Sequence, residues 1–551
     1  MMMSRIRDFR RDARGSIAIA FAIAVIPATI AVGMTVDYVR AVNARTRLQQ
    51  ATDAAVIAAG RAAITDNPSD ARAYAENFVK AASGFDARVR NFVISAGRTK
   101  ICMDTTVDIA RGLSQIGAFM DGGPVIPVSA AACTEFNDAT FEIALVMDNS
   151  GSMASAATGG KSRLQAAKDA ATQLVNLLMD SASMAGRVHF SVVPFNLSVK
   201  VGSQYARSAW TDTQGVSPIH WQQFDRDASV WKPQSRFDLF TELNVAFGGC
   251  FETRPGAWGL NDAPPTPGVP ESYFVPHFAP DEPGDRGDTT YRFSTGGWST
   301  QTYSYPNSYL DDFRSSTCSA ADENSASDVG KAQKKLCKYR SRPSISTSGG
   351  RGPNYNCTGQ SLMRLSQSKS TIVSAIDGMT ANGNTNLMEG FAWGWRTLSP
   401  NAPFADGRSY VPDPSKPFNN KIVILLTDGR NVWNSANNHN DSIYAPMGFY
   451  GDDRLRGNIG SGSGIGNGGQ ATAALDAATQ RACDNAKAQG VIVYTIGFAS
   501  RTSDVNETLL RNCATRNGDG KVNYYFASDS AKLMEIFEDI ANSIGRLRLT
   551  T

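Results

Sequence analysis

The chain has 551 residues, with 54 basic and 51 acidic side chains and a formal net charge of +3. That length exceeds one ordinary core and implies roughly two or three domains. A charge so evenly balanced argues against nucleic acid as a partner.

Residues 1–15 form a basic head carrying Arg5, Arg7, Arg10, Arg11 and Arg14. Residues 16–36, SIAIAFAIAVIPATIAVGMTV, hold no charge, and a transmembrane helix needs about 20 apolar residues. The basic flank keeps the N-terminus cytoplasmic and puts the rest of the chain outside. The span is longer than the roughly 7–15 apolar residues of a signal peptide, which favours an uncleaved anchor. Pro27 within it is tolerable in a membrane helix. Residues 37–83 read as one helix, with Leu48, Ala51, Ala55 and Ala58 on one face. Strand-like text follows over 87–109, then a short helix from Leu113 to Met120 and a strand, VIPVSAAAC. Residues 37–136 are therefore expected to be a small α+β region, with Cys102 and Cys133 on flanking strands that could be bridged.

A second region occupies 137–195 and 370–551. FEIALVM is a continuous apolar run of the kind buried on both faces of a parallel sheet. Helices are expected over 162–179, 386–397, 471–489, 504–515 and 529–546. The strands between them are RVHFSVVPF, NKIVILLT, GVIVYTIGF and VNYYFA. Such alternation predicts an α/β fold with a doubly wound, mostly parallel sheet. Residues 196–369 interrupt it with Gly, Pro, Ser, Asn and aromatic residues and little periodicity, which predicts an inserted, short-stranded subdomain. A second insertion, 438–469, is glycine-rich and reads as flexible.

The eight cysteines, at 102, 133, 250, 318, 337, 357, 483 and 513, include no C-x-x-C pair. An even, scattered set fits disulfides in an oxidising compartment better than a zinc site. Cys483 and Cys513 lie on the helices flanking GVIVYTIGF. Consecutive crossover helices can share a sheet face, which predicts a Cys483–Cys513 bridge. The four insertion cysteines are expected to pair among themselves.

Sites in open α/β sheets form at the carboxyl ends of strands. In IALVMDNSGSM, Asp148 directly follows the strand, with Ser150 and Ser152 at alternate positions. Asp428 follows KIVILLT, and Thr385 lies in GNTNLMEG at the start of a helix. Three chemistries compete. TGGKS at 158–162 resembles the end of a phosphate-binding loop, but Ser155 stands where that loop needs glycine. A serine nucleophile wants G-x-S-x-G in a strand-to-helix turn. The text is DNSGS, and His189, His220, His277 and His439 lie in a strand or in and near irregular insertions. Two carboxylates and three hydroxyls are hard oxygen ligands, suited to Mg²⁺ and also to Mn²⁺ or Ca²⁺. Helix capping alone would not bring Thr385 and Asp428 to the same edge. The expected ligands are Asp148, Ser150, Ser152, Thr385 and Asp428.

VMDNSGSM, TNLMEG, ILLTDG and GVIVYTIGF resemble, in order, the von Willebrand factor type A domain. In that family a D-x-S-x-S turn, a threonine and an aspartate form a metal-ion-dependent adhesion site. The resemblance implies a cation with an open coordination position for a partner's Asp or Glu carboxylate. The stretch RRDARGSIAIAFAIAVIPATIAVGMTVDYVRAVNARTRLQQATDAAVIAAG resembles the TadE/TadG-like membrane segment of tight-adherence (Flp) pilus assembly proteins. Relatives of the TadE type are processed after a glycine, with Glu at the fifth mature position. Here Gly15 places Ala20 there, which agrees with an uncleaved anchor. The combined resemblance implies a non-enzymatic, single-pass protein of a bacterial inner membrane with periplasmic C-terminal domains. Its partners would be the bilayer and another pilus-assembly or envelope protein. The rival readings are a metal- or serine-dependent envelope hydrolase, opposed by the lack of a general base beside the motif, and a released adhesin.

Overall fold

The computed structural model describes residues 14–546 apart from 66–67, 95–99, 113–123, 136–138, 158–159, 182–183, 185, 228, 285–289, 295–299, 313–317, 319–328, 414–417, 457–463 and 518–519. Most of the basic head and the short helix expected over 113–120 lie outside the described residues. The chain divides into two compact units: residues 1–139 with two short later stretches, and residues 140–412 with 419–545.

The first unit runs α1 (Arg14–Thr65), α2 (Pro68–Ser83), β1 (Arg88–Ile94), β2 (Lys100–Ala110) and β3 (Val125–Glu135). Residues 19–59 of α1 contain a window of mean hydropathy 2.3; among the described residues this helix alone is long and apolar enough to cross a membrane. Its large side chains there, Ile19, Phe21, Ile23, Val32 and Met34, are exposed. Further along, α1 changes character. Leu48, Ala55 and Ala59 are buried against Met103 and Val107 of β2 and Val128 and Ala130 of β3. Ala58, expected on that face, is half-buried, and Ala59 at the next helical repeat from Ala55 takes its place. The sequence read 37–83 as one helix, but the structure has two, α1 ending at Thr65 and α2 starting at Pro68. Proline lacks the N–H that a helix interior needs and suits the first helical position. Ala75 and Val79 of α2 then join the same core. The sheet is antiparallel in the order β1-β2-β3. Cys102 and Cys133 lie directly opposite on β2 and β3 and form a disulfide.

The second unit begins with β4 (Thr140–Asp148), α3 (Arg163–Met179) and β5 (Val188–Phe195). Next come α4 (Arg236–Leu243), the hairpin β6 (Thr290–Ser294) and β7 (Thr300–Ser304), α5 (Val329–Lys334), β8 (Met363–Ser366) and α6 (Lys369–Asp377). It closes with α7 (Leu387–Thr397), β9 (Asn419–Thr427), α8 (Gly468–Ala488), β10 (Ile492–Phe498), α9 (Glu507–Cys513), β11 (Tyr524–Ala527) and α10 (Ser530–Arg546). Six strands form a sheet in the order β11-β10-β9-β4-β5-β8. All neighbours are parallel except β5 and β8. From β4 the chain crosses to β5 on one side; from β9 it crosses to β10 on the other. Right-handed crossovers in opposite directions put α3 and α8 on opposite faces. The point between β4 and β9 is therefore the topological switch, where a crevice opens at the carboxyl ends.

The insertion expected over 196–369 is not a separate body. Its end supplies β8, an antiparallel edge strand, and its aromatic residues enter the main core. Trp210, Phe251 and Phe274 cluster with Trp393 of α7, and the Phe274 and Trp393 rings lie 5.2 Å apart. As a result every residue of α7 is buried. Disulfides Cys250–Cys357 and Cys318–Cys337 staple the insertion. Cys483 on α8 and Cys513 on α9 are bridged, with Cα atoms 5.1 Å apart. The stretch 438–469 read as flexible from its glycines, yet its described beginning is packed. Tyr444, Met447, Phe449 and Tyr450 are buried, because four large apolar side chains outweigh the pull of the glycines that follow.

The close fit of α7 on the sheet rests on small residues. A methyl group on Gly394 would come within 2.2 Å of Val146 Cγ2, and one on Gly390 within 2.5 Å of the Phe195 ring. Overpacking of this kind costs about 1–3 kcal/mol. Gly394→Ala is therefore expected to lower the urea midpoint of the second unit, with α7 forced off β4. An unchanged midpoint would show that α7 can shift freely.

Candidate metal centre

The site is assembled from strand ends. β4 and β9 are parallel neighbours, with Met147 opposite Leu426. Asp148 ends β4, and Asp428 follows the last residue of β9, so both carboxylates reach the same edge of the sheet. The turn after β4 carries Ser150 and Ser152. Ser150 N–H donates to Asp148 Oδ1 at 2.8 Å, the two serine hydroxyls lie 3.0 Å apart, and Ser152 Oγ donates to Asp428 Oδ1 at 2.5 Å. Thr427 Oγ1 donates to Asp148 Oδ2 at 2.7 Å.

Thr385 arrives on a different loop, just before the N-cap of α7, Asn386. Backbone hydrogen bonds tie that loop to the others. Gly151 N–H donates to Gly383 O, Asn382 N–H to Asn149 O and Val432 N–H to Thr385 O, each at 2.8 Å. Asn149 Nδ2 donates to Thr380 O at 2.9 Å. Gly383 has φ +76°, and a Cβ there would meet Asn196 Nδ2 at 3.3 Å, so glycine alone suits this crossing. Thr385 is buried. A methyl group on Gly429 would stand 3.8 Å from its Oγ1. The five residues expected from the sequence thus converge on one crevice.

Electrostatics mark the same place. Asp148 is fully buried, and its pKa is raised from 3.8 to about 7, first by burial and then by the charge of Asp428. Hydrogen bonds from Ser150 and Thr427 oppose the shift without cancelling it. Among the described residues no cluster of three or more His, Cys, Asp and Glu side chains could hold a metal. A cation here would rely on hydroxyls as much as on carboxylates. The oxygen-only donor set fits a hard dication.

Three features were missed in the sequence. Arg163, the first residue of α3, donates from Nη1 to Asp428 Oδ2 at 2.8 Å. Thr427 orients Asp148. Four asparagines, 149, 196, 386 and 431, hold the loops, the last by accepting from Leu387 N–H at 2.8 Å. Only Arg163 left a signal, since a cation is unfavourable at a helix N-terminus without an acidic partner. Three of the four histidines are engaged elsewhere. His220 Nδ1 lies 2.8 Å from Asp212, His277 Nε2 2.8 Å from Tyr355 O, and His439 Nδ1 2.8 Å from the Tyr305 hydroxyl. His189 is on β5, its pKa lowered mainly by burial. Lys161 of TGGKS pairs with Asp169 at 2.6 Å.

Residues 15–62 match the model of the TadE/G-like Flp pilus-assembly family, so the N-terminal helix carries a segment of that type. No curated protein matches the chain. Among solved structures, it is similar to the pilus adhesin SpaC of Lactobacillus rhamnosus GG, with 13% identity and a TM-score of 0.31, covering 84% of this chain and 35% of that one. The chain thus spans about a third of that adhesin. It is also similar to the PilB minor pilin of Streptococcus sanguinis, with 11% identity, a TM-score of 0.31 and coverage of 84% and 79%. A third likeness is to the vWF domain of the type V pili tip protein Mfa5 of Porphyromonas gingivalis, with 10% identity, a TM-score of 0.30 and coverage of 75% and 97%.

The raised pKa of Asp148 has a signed consequence. The folded chain holds that proton more tightly than the unfolded chain, so the group's contribution to stability falls as pH rises from 3.8 to about 7. In chelator, Asp148→Asn should melt above the wild type at about pH 8, with the gap shrinking toward about pH 4. A gap that does not change with pH would show that Asp148 is not strained by its surroundings.

Proposed function

We propose that this chain is a membrane-anchored envelope protein of tight-adherence (Flp) pilus assembly or anchoring. Its second unit acts as a von Willebrand factor type A domain. Asp148, Ser150, Ser152, Thr385 and Asp428 hold a divalent cation, Mg²⁺ in the first instance, and the cation captures an Asp or Glu carboxylate of a protein partner. The observation that carries this reading is the convergence of two carboxylates and three hydroxyls at the topological switch of the sheet. The DNSGS, TNLMEG and ILLTDG motifs and the TadE/G-like match of residues 15–62 support it.

The chemistry suits capture rather than turnover. Neutral hydroxyls leave much of a dication's charge uncompensated, so an incoming carboxylate is drawn to it. The loops that carry Ser150, Thr385 and Asp428 surround the crevice and would select the partner. The apolar half of α1 is the anchor, and its arginine-rich flank keeps the N-terminus in the cytoplasm. The second unit then lies in the periplasm of a bacterial inner membrane, where its disulfides are stable.

Two experiments test the reading. In a thermal melt after chelation, Mg²⁺ or Mn²⁺ should stabilise the wild type by about 2.7 kcal/mol at one hundred times its dissociation constant. Asp148→Ala should gain little and should lose partner capture; equal shifts in both proteins would reduce DNSGS to a helix cap. A reporter active only in the periplasm, fused after Thr551, should be active. Activity of a cytoplasmic reporter at the same position would reverse the topology.

A further inference from the structure

Arg163 stands in an unusual place. It is the first residue of α3, where the helix dipole disfavours a cation. Its neighbour Ser162 caps the helix by accepting from Gln165 N–H at 3.1 Å, so capping does not require the arginine. Its backbone is pinned, with Arg163 N–H donating to Ser155 O at 2.9 Å, and the loop between the site serines and α3 is closed by Ala157 N–H to Lys161 O at 2.8 Å. From that anchored position the side chain turns back into the crevice. The arginine side chain is mostly buried, and the aspartate side chain it meets is wholly buried.

Both oxygens of Asp428 are thereby engaged, Oδ1 by Ser152 and Oδ2 by Arg163. Asp148 has both of its oxygens engaged too, by Ser150 and Thr427. The network closes on itself, with the guanidinium held on Asp428 and Asp148 held by Ser150 and Thr427. A dication bound among Ser150, Ser152 and Thr385 must draw on the negative charge that Arg163 already neutralises. It must also accept a positive charge nearby or drive it out toward solvent.

We propose that Arg163 is an internal counter-cation for Asp428 that competes with the divalent cation and so sets the concentration at which the site loads. This rests on the metal reading above. The pair gives the site two states. In one, Asp428 is held by Arg163 and the crevice is closed by its own hydrogen bonds. In the other, the dication takes over that charge and the guanidinium is released to the rim of the crevice. Removing the arginine's charge favours the second state whether the side chain leaves or stays. In the first case it deletes a competitor, and in the second it deletes a repulsion.

The test uses the full-length chain in detergent, with Mn²⁺ as the probe. Wild type, Arg163→Gln and Arg163→Lys are compared by titration calorimetry and by thermal melts with and without chelator. Arg163→Gln keeps a hydrogen-bond donor and loses the charge; Arg163→Lys keeps the charge. Arg163→Gln should bind Mn²⁺ about tenfold more tightly or better, while Arg163→Lys stays near the wild type. In chelator, Arg163→Gln should melt below the wild type, since Asp428 loses its partner, and saturating Mn²⁺ should close that gap. Unchanged or weaker Mn²⁺ binding by Arg163→Gln, beside normal binding by the wild type, overturns the proposal and leaves Arg163 as a strut. If no protein binds Mn²⁺, the metal reading itself fails and this inference with it.

Discussion

Two carboxylates at the ends of adjacent parallel strands are the constraint on which the second unit turns. Asp148 and Asp428 sit where they do because β4 and β9 are neighbours in register, and that adjacency is the switch point of the whole sheet. Burying two like charges together is unfavourable. The loops around them answer with donors: the Ser150 amide, the Thr427 and Ser152 hydroxyls and the Arg163 guanidinium. The loops themselves are held by backbone bonds between them and by asparagine side chains that bridge them.

Much of the sheet was legible because its strands announce themselves. FEIALVM and KIVILLT are unbroken apolar runs, and a strand buried on both faces has few other readings. Asp148 and Asp428 stood out because each ends such a run. The N-terminal helix was legible up to Pro68, where a propensity reading carried on and the missing N–H did not. What the sequence hid were contacts between distant segments. A cation at the start of a helix asks for an acidic partner, but nothing local says that Arg163 finds it in a residue 265 positions away. β8, with four residues in an irregular stretch, has no periodicity to read. The packing of 438–456 was hidden by the glycines beyond it.

The insertion shows how polar groups can join two irregular segments that share no sheet. Glu252 lies fully buried between Arg236 of the insertion and Arg454 of the later loop, with the Tyr444 hydroxyl donating to it. Burial alone would raise its pKa, but the two arginines and His277 bring it down to about 2. Its stabilising effect is therefore present above the usual carboxylate range and is lost only as pH falls toward 2. A paired, buried carboxylate of this kind is costly to break because the remaining charges are left without partners. It ties 236, 252 and 454 into one unit, although few of the residues around it are in regular structure.

That tie reaches the candidate site through α7. Thr385 precedes this helix, and the helix is gripped on its outer side by the insertion. Thr253 donates to Glu389, and Arg396 donates to the carbonyls of Gly259 and Asn261. On its inner side, Gly390 and Gly394 leave no room for α7 to slide over Phe195 and Val146 without a clash. The position of the Thr385 hydroxyl relative to Asp148 and Asp428 is thus set by residues of the insertion, more than a hundred positions earlier in the chain. The long irregular segment is part of the machinery that holds the site in place. A change at Thr253 or Glu389 acts on the same geometry as a change at Thr385 itself.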